Sequence, residues 1–150
     1  MKRMPLAAAA LLLPLTLVGG CSAITSALAP SVPSIEVGEC TNLDTPEGGT
    51  EVTDIPTVDC ASDHKWEVYA EHKVDDGDFP GESSLQTQTE DFCVSEFESF
   101  VGLPYEQSIY EVQYFYPTEE TWTKADDRLI TCLVGSSTGG LKGSLKGVNE

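Results

Sequence analysis

The chain has 150 residues, with 25 Asp and Glu against 8 Lys and Arg, for a formal net charge of −17. So few cations exclude nucleic acid as a partner, because phosphate binding needs clustered Lys and Arg. They also exclude docking on anionic lipid headgroups through a basic patch. The length suits one ordinary domain whose modest core gains from cross-links.

Lys2 and Arg3 form a charged start, and Leu6 to Val18 form an apolar run interrupted by Pro14 and Thr16. That run is shorter than the roughly 20 residues a membrane span needs. It ends in Gly19-Gly20-Cys21, small residues directly before a cysteine. This is the layout of a lipoprotein signal peptide. Residues 1–20 are therefore read as removed and Cys21 as the lipid (palmitate-bearing) attachment site. A plain signal peptide, with Cys21 left to form a disulfide, is the competing reading. Lipidation places the protein on the outer face of the cytoplasmic membrane, in extracytoplasmic, oxidising surroundings. Loss of Lys2 and Arg3 leaves six basic against 25 acidic residues, a formal −19, so attachment to the membrane rests on Cys21. Residues 21–34, with Ser, Ala, Thr, Pro30 and Pro33, read as a flexible tether.

The domain is placed at 35–137. Ile35-Glu36-Val37 reads as a short strand and Gly38-Glu39-Cys40 as a turn. The polar stretch from Thr41 to Glu51, with Pro46 and Gly48-Gly49, reads as a loop. Val52 to Cys60 contains Pro56 and reads as an edge strand or no strand. Trp66 to Ala70 alternates, with Trp66, Val68 and Ala70 facing one way and Glu67, Tyr69 and Glu71 the other. Asp75 to Gly81 is a loop. Thr87-Gln88-Thr89-Glu90 matches a capping box and opens a helix over 85–101, with Cys93, Val94, Phe97, Phe100 and Val101 on one face. Gly102 ends the helix in the left-handed conformation and Pro104 prevents its continuation. Tyr110 to Tyr116 and Leu129 to Val134 read as two strands that pair antiparallel, with Pro117 to Trp122 as a turn between them. Residues 138–150, rich in Ser, Gly and Lys, read as a disordered tail. The fold class is α+β: a small, mainly antiparallel sheet with one amphipathic helix packed on one face.

With Cys21 lipidated, four cysteines remain, an even number in an oxidising compartment. Four allow three pairings. Cys93 on the inner helix face and Cys132 on the last strand suit a bridge that pins helix to sheet, which leaves Cys40 and Cys60 as a clip across the acidic loop. A metal site at Cys60 and His64 is the competing reading, disfavoured because no further ligand is suitably spaced.

No catalytic constellation is present: no Gly-flanked nucleophile, phosphate loop or zinc helix motif. His64 and Glu67 are the candidate acid/base pair, although residues three apart on a strand point to opposite faces. His64 and His72 are read as structural or surface residues. Asp75, Asp76 and Asp78 lack the spacing and distal Glu of a calcium loop, and Arg128 is read as a structural ion-pair partner. No cofactor, metal or catalytic residue is expected, and no ligand-binding residue is assigned.

In order along the chain stand Gly38-Glu39-Cys40, Val58-Asp59-Cys60, His64 with Glu67-Val68-Tyr69-Ala70, Phe79-Pro80-Gly81, Cys93 with Phe97, Pro117 to Trp122, and Asp127-Arg128 with Cys132. This series resembles the septum-formation domain of actinobacterial envelope proteins and lipoproteins, over about Val37 to Val134. Two places depart from that pattern: Asp63-His64-Lys65 stands where Pro and His-Asp are usual, and Ala125-Asp126 replaces the Gly before the Asp-Arg pair. The resemblance implies an envelope protein linked to septum formation and transfers no activity or ligand. The resulting expectation is a non-enzymatic, lipid-anchored protein of the cell envelope that binds an unknown envelope or division protein. The alternative is a small-molecule or ion-binding lipoprotein accessory to a membrane complex.

Overall fold

A computed structural model describes residues 30–32, 34–44 and 55–150. The expected signal peptide, the expected lipid site Cys21 and most of the expected tether lie outside the described residues, as does much of the acidic loop. Among the described residues five strands form one antiparallel sheet: β1 Cys40–Thr41, β2 Thr57–Val58, β3 Trp66–Lys73, β4 Glu111–Phe115 and β5 Leu129–Gly135. Their spatial order is β2-β1-β3-β5-β4. Helix α1, Glu82–Val101, crosses one face, and a short helix α2, Glu119–Lys124, joins β4 to β5. The fold is therefore α+β, with the helix on the sheet as expected.

Helix α1 buries Leu85, Thr89, Cys93, Phe97 and Val101, a strict four-residue spacing that draws one narrow stripe along it. Val94 falls outside the stripe and is 38% exposed. The helix starts three residues before the expected Leu85. Thr87 does not cap it: the Thr87 hydroxyl donates to Ser83 O one turn back, at 3.0 Å. The chain enters instead through Gly81 at φ 94, a conformation that costs glycine little. The other end is as expected, with Gly102 at φ 91 donating its N–H to Glu98 O.

Strand β3 begins as expected and then departs. Trp66 and Val68 join Ile35, Ile55 and Leu133 in a small cluster on the face away from the helix. Tyr69 and Ala70 both pack toward the helix core, because the register against β5 slips between Val68 and Ala70. This β-bulge re-aims every later side chain on the strand. The stretch 35–37 is not a strand. Gly38 (φ 90) turns it so that its N–H reaches Val68 O, while Val68 N–H donates to Glu39 O. Gly135 is a glycine for a different reason, since a Cβ there would lie 1.9 Å from Lys65 O.

Two further segments depart from the sequence reading. Residues 119–124 form a helical turn rather than a plain turn, because Thr118 and Thr121 cap each other reciprocally. The last residues, expected as a disordered tail, pack on the domain. Leu145 is 4% exposed within the main core, and Leu141 exchanges backbone hydrogen bonds with His64.

Both expected disulfides are present. Cys40–Cys60 closes 20 residues and Cys93–Cys132 closes 39, the latter joining α1 to β5 inside the core.

Candidate functional site

Several of the residues that carry the family resemblance gather at two places. At the first, Glu67 is 3% exposed. A carboxylate buried that deeply needs donors. Ser144 Oγ donates to it at 2.6 Å and Leu145 N–H at 2.7 Å. Gly38 and Glu39 hold the backbone of Val68 beside it. The motif Gly38-Glu39-Cys40 and the motif Glu67-Val68 are thus one arrangement that seats the chain end against the sheet.

His64 stands nearby in sequence but makes separate contacts. Its Nδ1 lies 3.0 Å from Ser62 O. A carbonyl can only accept, so Nδ1 carries the proton and donates. Its Nε2 is buried without a partner. The ring and the Glu67 carboxylate do not form an ion pair; the carboxylate is taken up by Ser144 and Leu145. The structure therefore does not bring the candidate acid/base pair together. His72 is exposed at the far end of β3, its ring 4.9 Å from that of Phe92.

The second gathering is built on Arg128. Its guanidinium lies 3.8 Å over the Trp122 ring, and its Nη1 donates to Trp122 O at 3.0 Å and Asp127 O at 2.7 Å. Asp126 (3.0 Å) and Asp76 (3.7 Å) supply negative charge. The Trp122 indole N–H donates to Gly77 O, and Phe79 meets the Trp122 ring edge-on. Arg128 thus ties the Asp75–Asp78 loop to α2 and β5, the ion-pair role expected for it. Among the described residues no group of three His, Cys, Asp or Glu is placed to hold a metal, and Asp76 turns toward Arg128.

A third place was not read from the sequence. Between α1 and β4 runs an open groove of about 350 Å³, lined by Glu90, Val94, Tyr105, Val112 and Tyr114. The alternation of β4 puts Val112 and Tyr114 on the helix side, opposite Val134 and Cys132. The Tyr114 hydroxyl donates to Glu90 at 2.9 Å. Burial, then the hydrogen bond and charge of Glu90, push Tyr114 up to about 12. Tyr116 is raised by burial and by Glu82 and Glu90, and Tyr110 by burial and by its bond to Glu150. Three tyrosine hydroxyls in a row therefore sit beside carboxylates and stay protonated. In chemical terms this strip offers aromatic faces, hydroxyls and acidic oxygens. The sequence signal was the aromatic alternation of Tyr110, Tyr114 and Tyr116, but counting Val94 as core removed the helix wall.

Among the described residues no helix is long and apolar enough to cross a membrane. Neither a curated protein nor a solved structure matches the chain. The family model for septum formation matches residues 37–147, most of the chain and as far as the segment that Glu67 holds. The chain belongs to the septum formation family.

Proposed function

We propose that this protein serves septum formation or cell-envelope assembly from the outer face of the cytoplasmic membrane, anchored by lipid on Cys21 and acting by binding a protein or envelope component rather than by catalysis. The match to the septum formation family over 37–147 carries the reading. Leu17-Val18-Gly19-Gly20-Cys21 ahead of the domain supports the anchor, and two disulfides suit an oxidising compartment. The formal charge of −17 leaves no basic surface for lipid headgroups, so the anchor would be the whole of the membrane attachment.

The test is localisation of a tagged copy in dividing cells. The native chain is expected in the membrane fraction and enriched at septa, with Cys21→Ala released from the membrane. In-cell crosslinking is expected to recover a defined envelope or division protein. Uniform distribution, normal septa in a deletion strain and no crosslinked partner would together overturn the reading.

A further inference from the structure

Strand β4 is an edge of the sheet: β5 pairs its inner side, and no described residue pairs its outer side. An open edge is a template for another chain, and folded proteins guard such edges with Lys, Pro or a bulge. The core of β4 carries none of these. Val112 to Phe115 is uncharged and free of proline, and its register against β5 runs unbroken from Glu111 to Phe115. Just before the strand, Ile109 is 74% exposed.

The groove already described lies along this edge on the helix side, so a strand added to β4 would cover it. Its lining supplies apolar and aromatic surface from Val94, Tyr105 and Val112. Its charge is one-sided. The stretch from Val74 to Thr123, which spans α1 and β4, contains twelve Asp and Glu and no Lys, Arg or His. The tyrosines along the edge register that field, since Glu82, Glu90 and Glu150 all act to hold them protonated. A second copy of this chain is a poor occupant, because it would set the same acidic stretch against itself.

We infer that the outer edge of β4 receives an extended basic segment of a partner polypeptide, which adds as a further strand. Its backbone amides pair with β4, alternate apolar side chains enter the groove between Tyr105 and Tyr114, and Lys or Arg side chains lie beside Glu90 and Glu111. Main-chain pairing supplies affinity in this mode and alternate side chains supply selectivity. The inference rests on the reading that the protein works by binding another protein.

The experiment uses the full chain in zwitterionic detergent, 15N-labelled, titrated with an alternating Lys–Val octapeptide. Saturable amide shifts centred on 112–115 are expected. Methylating alternate peptide nitrogens preserves charge and removes main-chain donors, and is expected to abolish binding. Glu90→Lys with Glu111→Lys, both exposed and outside the core, is expected to weaken binding by about tenfold or more. Equal binding of the methylated peptide, shifts spread along α1 instead of β4, no saturable binding, or a dimer by sedimentation would each overturn the inference. In cells, a photocrosslinker at Gln113 is compared with one at Ser62, exposed in the loop after β2. Capture from Ser62 alone would sink the β4 edge and leave partner binding standing; capture from neither would count against partner binding itself.

Discussion

The Glu67 carboxylate accepts the Leu145 N–H at 2.7 Å across 78 positions of sequence, which fixes the end of the chain to β3. Glu67→Ala leaves that buried N–H unpaired and removes two hydrogen bonds to a charged group. The expected cost is about 2–4 kcal/mol. Glu67→Gln keeps an acceptor and should cost less than half as much. Urea unfolding measures the loss, and hydrogen exchange at Leu145 should rise in the alanine variant before the core exchanges. Unchanged exchange there would show that the segment is held by something else.

Asp126 sits at φ 55, in the left-handed region where a side chain is strained. The resemblance places a glycine before the Asp-Arg pair, and the backbone supplies the reason. Asp126→Gly should relieve backbone strain while losing the ion pair to Arg128, for a net change within about 0.5 kcal/mol. Asp126→Val, β-branched at a positive φ, should destabilise by roughly 1–3 kcal/mol. Thermal unfolding of the two variants side by side separates strain from charge.

Arg128→Lys keeps the positive charge but cannot stack on Trp122 and reach two carbonyls at once. A loss of about 1–3 kcal/mol is expected. Trp122 fluorescence should shift as the Phe79 loop loosens from the indole. A lysine variant as stable as the native chain would mean that charge alone suffices here.

Stability should fall at alkaline pH. The folded state holds Tyr114 protonated up to about 12, whereas the unfolded chain releases that proton near 10. A raised folded value gives a contribution fully present below the unfolded value and lost as pH rises through the folded one. The loss therefore spans about 10 to 12. Tyr69, raised first by burial and then by Glu96, acts in the same direction. Tyr114→Phe should flatten the decline, as read by urea midpoints at successive pH values; an unaltered slope would remove Tyr114 from the account.

Removing the Cys93–Cys132 bridge by paired serine substitution should cost about 4 kcal/mol, and removing Cys40–Cys60 about 3 kcal/mol, from the lengths of the loops they close. Chemical denaturation checks both values. The reverse order would show that packing strain outweighs chain entropy.

Helix α1, the two long late strands and both cysteine pairings were legible in the sequence, because each leaves a local mark. A four-residue apolar spacing, a glycine and proline after Val101, and an even set of cysteines can be read without knowing the fold. The groove was legible only on its strand side. Val94 lies next to Cys93 and counts as core by helical angle, yet it faces the open edge of β4 rather than the sheet.

By itself, then, the sequence determined that the chain is strongly acidic and that it holds one amphipathic helix with a sharp C-terminal stop, and it favoured the cysteine pairing that the structure shows. Only the tertiary structure decided four other matters. These are the slip between Val68 and Ala70 that turns the rest of β3, the burial of Leu145 under the Glu67 latch, the left-handed turn at Asp126, and the exposure of β4 as an edge. Each depends on contacts between segments far apart in the chain. Local spacing records which residues prefer to be buried; the partner that buries them, or leaves an edge open, is set when distant segments meet.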